Sequence, residues 1–201
     1  MRVMKLVLAT ANPHKVEEIK KYFEGLQGVI LSAAKNPEGS ELKENGSTLR
    51  DNALQKAREA AKQTGCWALA DDTGLFVEAL GGRPGVFSAR YAGAEADAKK
   101  NVTKLLQEMK GASDPNRGAH FSSVLALVHP DGREVVVEGR LEGAIAQAPG
   151  GDQGFGYDPI FWLEDRRCTL AEISLEEKNK ISHRGLALFK MKGMVEGIIR
   201  F

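Results

Sequence analysis

The chain has 201 residues, 42% of them hydrophobic, which is enough for one large domain or two lobes with genuine cores. Its 28 basic and 27 acidic side chains are mixed along the sequence and leave a formal net charge of +1, which argues against a nucleic-acid-coating surface but not against a small anionic ligand held by a local cluster. Cys66 and Cys168 form no CxxC pair and read as reduced core thiols. No apolar run approaches the roughly 20 residues of a membrane span, and the N-terminal one is too short for a signal segment, so the expectation is a cytoplasmic protein with no membrane partner.

In chain order, Met4 to Thr10 reads as a buried strand. Asn12 as N-cap and Pro13 as first helical residue then open a helix with Val16, Ile19, Phe23 and Leu26 on one face. A weaker strand is expected at Val29 to Ser32, followed by a polar loop from Ala33 to Ser47. Thr48 and Asp51 suggest a capping box for a helix with Leu49, Ala53, Ala57 and Ala60 inward, stopping at Gly65. Trp67 to Ala70 reads as a short strand ending at Asp71-Asp72, and Gly81 to Gly85 as a loop.

Ala96 to Lys110 carries an amphipathic pattern with Val102, Leu105, Leu106 and Met109 inward. Phe121 to Val128 and Glu134 to Val137 predict a hairpin through Pro130-Asp131-Gly132. Gly150 to Gly156 is a glycine-rich loop, Asp158 to Trp162 a candidate strand, and the end a helix with Ala187, Met191, Met194 and Ile198 as its apolar stripe. The expected class is α/β: a mixed, elongated central β-sheet with flanking helices, one domain over residues 1–201 with two lobes around a nucleotide-binding cleft.

Several residue groups have the chemistry of a site. The turn Thr10-Ala11-Asn12-Pro13-His14-Lys15 joins a strand end to a helix start, where N–H groups and the helix dipole favour phosphate. It is equally an ordinary strand-to-helix junction, and it lacks P-loop spacing. Adjacent Asp71 and Asp72 repel unless a cation or donors compensate them, which favours metal binding or catalysis over a cap and a solvated charge. Glu44, in a polar loop, reads by itself as a surface residue.

In Gly154-Phe155-Gly156-Tyr157-Asp158, the aromatic could stack on a base and the carboxylate accept from ring N–H groups, or the segment could be a structural turn. Lys178, His183, Arg184 and Arg90 are candidate ligand-binding side chains, or simply helix-end and surface groups.

Taken together, LATANPHK, ENGSTLRDNALQKA, ALADDTGLFVEALGGRPGVFSARYAG, GGDQGFGYDPIF and EEKNKISHRG, running from residue 8 to residue 185, closely resemble the inosine triphosphate pyrophosphatases. These are hydrolases of non-standard purine nucleoside triphosphates. The resemblance implies that Thr10, Asn12, Lys15 and Lys56 hold the triphosphate, and that Glu44 and Asp72 bind Mg2+. It also implies Asp72 as general base and Thr73 as a hydroxyl near the substrate. Phe155, Gly156, Tyr157, Asp158, Lys178, His183 and Arg184 match the surroundings of base and sugar, and the family implies a homodimer.

Inosine, deoxyinosine and xanthosine triphosphates are the expected substrates, cleaved to monophosphate and pyrophosphate. A regulator with the same pocket and no turnover is one competing reading; a structural or nucleic-acid-associated protein, which the near-neutral charge argues against, is the other. Two residues depart from the pattern: Ala11 stands where many relatives have Gly, and Thr73 where many have Ser.

Overall fold

The computed structural model describes residues 3–33, 45–112 and 116–200. In chain order these form β1 (Met4–Leu8), α1 (Pro13–Phe23), β2 (Val29–Ala33), α2 (Leu49–Thr64), β3 (Trp67–Val77), β4 (Pro84–Gly85) and α3 (Ala98–Glu108). Then follow β5 (Gly118–Val128), β6 (Glu134–Ile145), β7 (Phe161–Leu163), β8 (Cys168–Thr169), α4 (Leu175–Ile181) and α5 (His183–Arg200). The strand order is β2-β1-β3-β5-β6-β7-β8, with β4 on β3. The sheet is mixed: β1 pairs in parallel with β2 and β3, whereas β3–β4, β6–β7 and β7–β8 are antiparallel.

Packing divides the chain into two compact units. The first contains the residues up to Asp72, Ser123–Gly139 and the residues from Arg184 onward; the second contains Thr73–Ser122 and Arg140–His183. Each has its own apolar core. In the first, Leu6, Leu8, Leu69, Leu125 and Leu127 from the strands meet Ile19 and Phe23 of α1 and Ala187, Leu188, Met191, Val195 and Ile199 of α5. In the second, Leu75, Val77, Phe121 and Ile145 meet Leu105 and Met109 of α3, with Ile160, Phe161 and Leu170.

Local signals account for most boundaries. The Asn12 side chain accepts from the N–H groups of His14 and Lys15, with Pro13 in the first turn. Thr48 accepts from the N–H of Asp51, and Gly65 closes α2 in the left-handed region at φ 67. The expected capping box is only half formed. The shorter Asp51 carboxylate takes the hydroxyls of Thr48 and Ser47, where the motif has a longer Glu or Gln reaching the backbone. Ala11 is not among the described non-glycine residues with positive φ, Ala96 and Arg167, so alanine for glycine strains nothing there.

Other expectations are corrected. β3 does not stop before Asp71-Asp72; it runs on to Val77 with both carboxylates buried inside it. The β-forming Leu75-Phe76-Val77 continues the strand, and cations supplied by helices make the buried charges tolerable. Asp158–Ile160 is a 3-10 turn, leaving Phe161–Leu163 as the strand. β5 and β6 extend beyond the expected hairpin arms. Helix α3 begins at Ala98 because Asp97 caps it. On α5, Met194 is 49% exposed and the buried stripe runs through Leu188, Val195 and Ile199 instead. That rotation keeps the i, i+4 spacing of Ala187 and Met191 but shifts which residues follow.

Candidate active site

The first unit gathers charge around the middle of β3. Asp71 is 0% exposed and Asp72 5%, so each carboxylate needs partners. Lys56, on α2, donates from Nζ to Asp72 Oδ1 at 2.8 Å and to the Asp71 carbonyl at 2.9 Å. The Asn52 amide, one turn earlier, donates to Asp72 Oδ2 at 3.1 Å. Lys15, in the first turn of α1, reaches Asp71 Oδ1 at 3.4 Å and the Asp71 carbonyl at 3.3 Å. Ser123 Oγ donates to Asp71 Oδ1 at 3.3 Å.

Arg184, at the start of α5, donates from Nε to Asp71 Oδ2 and from Nη1 to Glu18 Oε2, the latter at 2.6 Å. Thus Lys15, Lys56, Asp71, Asp72 and Arg184, distant in sequence, form one network with Glu18. Its formal charge, three cations against three carboxylates, is balanced.

Burial and charge act in opposite directions here. Burial lowers the Lys15 pKa below its usual 10.5, and the Asp71 carboxylate only partly opposes this. Burial also works against the Arg184 guanidinium, but Asp71 and Glu18 outweigh it, so its pKa rises. An added anion would stabilise the Lys15 ammonium against this burial cost. It lies beside the Asn12 cap, where Thr10 Oγ1 also accepts from the Asn12 N–H at 3.2 Å.

The donor chemistry fits a hard divalent ion. Among the described residues no three His, Cys, Asp or Glu side chains converge as a metal site. Mg2+ characteristically needs only one or two carboxylates when substrate phosphates and water complete its shell. A carboxylate offers about four acceptor positions, so holding Lys56 and Asn52 does not by itself displace a metal from Asp72. Glu44 lies outside the described residues.

The second unit builds a separate cluster from the glycine-rich loop and α4. Asp158 Oδ2 accepts from the Phe155 N–H at 2.7 Å and from Lys178 Nζ at 2.8 Å, a pair only 3% exposed at each residue. The same ammonium stands 4.6 Å from the centre of the half-buried Phe155 ring. Gly154 has φ 75, and a Cβ there would collide with Asp158 Oδ2, so the loop admits no other residue without moving the carboxylate.

Tyr157 is buried, donates to the Ser88 carbonyl at 2.9 Å, and has its pKa raised mainly by burial. His183 stacks on Phe121 with ring centres 4.5 Å apart and planes at 17°. Gly156 is half-buried and follows directly on Phe155. Thr73 is half-buried on β3, and Arg90 lies 5.8 Å from the centre of the Phe87 ring.

Glu18 and Asn52 were not singled out from the sequence. Each looks like an ordinary polar residue of an amphipathic helix; only burial, at 4% and 1%, sets them apart.

A mixed α/β fold with a buried, cation-flanked acidic pair beside a helix N-terminus is chemically suited to a polyphosphate and its metal. Residues 6–194 match the model of the Ham1 family, and the chain belongs to that family. It is 45% identical to the dITP/XTP pyrophosphatase of Bacillus subtilis over 197 residues, spanning 98% of this chain and 100% of that one. It is 49% identical to the dITP/XTP pyrophosphatase of Thermus thermophilus, over 94% of this chain and 90% of that one. Among solved structures, a HAM1 protein from Coxiella burnetii superposes with a TM-score of 0.89 at 40% identity, covering 97% of this chain and 100% of that one. The Staphylococcus aureus Ham1 protein gives 0.86 at 36%, covering 96% and 98%.

Proposed function

We infer that this chain is a nucleoside-triphosphate pyrophosphatase. It hydrolyses the non-standard purine triphosphates of inosine, deoxyinosine and xanthosine to monophosphate and pyrophosphate, removing them from the nucleotide pool. The observation that carries the reading is the buried Asp72 carboxylate clamped by Lys56, in a chain 44–49% identical to dITP/XTP pyrophosphatases over most of its length.

Lys15, Thr10 and Asn12 at the start of α1, with Lys56, bind the triphosphate and offset charge on the departing pyrophosphate. Asp72 orients the attacking water and takes its proton. Asp72, with Glu44, would hold Mg2+, which would supply positive charge to offset that of the triphosphate. Asp71 keeps the network rigid through Arg184, which, as the resemblance implies, also serves the base and sugar.

In the second unit, Phe155, Gly156, Tyr157, Asp158, Lys178 and His183 serve the base and sugar, and Thr73 contributes its hydroxyl. A 6-oxo purine accepts hydrogen bonds where adenine presents an amino donor, so a donor-lined pocket leaves adenine facing unpaired groups.

We further place the enzyme in the cytoplasm as a homodimer acting on small-molecule substrate, without nucleic-acid or membrane partners. No described helix is long and apolar enough to cross a membrane. Hydrolysis of inosine triphosphate in ¹⁸O-labelled water tests the reaction. Attack at the α-phosphorus puts the label in the monophosphate; label in orthophosphate or pyrophosphate would contradict it.

A further inference from the structure

The Asn52 side chain is 1% exposed in the first turns of α2, where asparagine is a poorer helix former than alanine. A buried amide must find partners for both ends, and Asn52 has two. Its Oδ1 accepts from the Gly46 N–H at 2.8 Å, and its Nδ2 donates to Asp72 Oδ2 at 3.1 Å.

The reverse orientation would point an amino group at an N–H and an oxygen at a carboxylate, so the two contacts fix the amide in one setting. No side chain fits at Gly46 unless its neighbours move. A Cβ there would stand 2.7 Å from Asn52 Oδ1 and 2.7 Å from Asp51 Cβ. Lys56 holds the other oxygen of Asp72 at 2.8 Å. These donors, on opposite oxygens, set both the position and the plane of the carboxylate.

We propose that Asn52 is a positioning residue for Asp72. Anchored by Gly46, it holds the Asp72 carboxylate in the plane that catalysis requires. This rests on the reading of Asp72 as the catalytic carboxylate. A site held loosely by its supporting contacts loses rate more than binding, because orientation matters at the transition state. Asn52 touches no reacting atom in this scheme and acts through Asp72 alone.

The test combines Asn52→Leu, Asn52→Ala and Asp72→Asn, singly and in pairs, with inosine triphosphate and Mg2+. Asn52→Ala removes the same two contacts without adding bulk or a charge beside Asp72, and stands in where Asn52→Leu does not fold. The expected result is a fall in kcat of at least about 30-fold with KM within about threefold of wild type, on the scale of removing one orienting contact. In the Asp72→Asn background the same substitutions should lower the residual rate by less than about threefold, since residues acting as a unit are non-additive.

A kcat near wild type, or an equal loss with and without Asp72, would overturn the proposal. Urea midpoints of the same variants provide a readout apart from turnover: coupling between positions 52 and 72 is expected, and strict additivity would count against it. Absence of turnover in the wild type would instead sink the functional reading, leaving the coupling measurement to decide the role of Asn52.

Discussion

Lys56 Nζ lies 2.8 Å from Asp72 Oδ1, and both side chains are almost entirely out of solvent. Two formal charges so placed gain their mutual attraction only if the pair stays intact, and losing one partner strands the other. The same ammonium also holds the Asp71 carbonyl at 2.9 Å. One lysine therefore fixes two consecutive residues of β3 and offers positive charge next to the proposed reaction centre.

Lys56→Met should consequently fail in chemistry as well as in folding stability. The expected fall in kcat/KM on inosine triphosphate is about 10²–10³-fold, the range for removing one preorganised donor. Steady-state kinetics of the purified variant, below its melting temperature, measures it.

The Arg184 network predicts a stability effect. Its guanidinium bridges Asp71 and Glu18, all three residues at most 4% exposed. Arg184→Met removes the guanidinium that Asp71 and Glu18 share, leaving Lys15 and Ser123 on Asp71, and should cost about 3–5 kcal/mol in urea denaturation. In an Asp71→Asn, Glu18→Gln background the same change should cost much less, because the stranded charges are gone.

Lys15 gives a pH dependence. Its folded pKa is below the 10.5 of the unfolded chain, chiefly through burial. Between those two values the unfolded chain binds more protons, so this group's contribution to stability rises with pH across that window and is lost as pH falls through the folded value. Triphosphate binding favours the ammonium and has the opposite dependence: affinity should weaken as pH rises through the lowered pKa. Calorimetric titration with a non-hydrolysable inosine triphosphate analogue should show that alkaline loss in wild type, and Lys15→Met should lack it.

In the second unit, Gly154→Ala drives a methyl group into the Asp158 carboxylate at a residue with φ 75. The Asp158–Lys178 pair and the Phe155 ring above it should shift together. The expected outcome is at least about a tenfold loss in kcat/KM for inosine triphosphate, with weaker discrimination against adenosine triphosphate. Comparing the two substrates in parallel assays measures both effects.

Much of the local structure was legible because its causes are local. Asn12-Pro13, Thr48, Gly65 and the Pro130-Asp131-Gly132 turn all act over a few residues. Asp71 and Asp72 were legible as a pair needing compensation, but not as the middle of a strand. Their cations come from α1, α2 and α5, and nothing in the neighbouring sequence announces them. Glu18 and Asn52 escaped notice for the same reason, since each is defined by a partner 166 or 20 residues away. Asp158 opens a turn and not a strand because its carboxylate bonds backward to Phe155 and across to Lys178, contacts that hydrophobic periodicity does not encode. Met194 shows the limit of the helical pattern: spacing identifies an apolar face but leaves its edge uncertain by one position.

The most direct test follows inosine triphosphate with Mg2+ by phosphorus NMR, using wild type and a folded Asp72→Asn variant side by side. The account predicts inosine monophosphate and pyrophosphate in equal amounts from the wild type, and a rate at least about 10³-fold lower from the variant, the scale of losing a general base together with its electrostatic role. Release of orthophosphate, or a variant that turns over like the wild type, would contradict it.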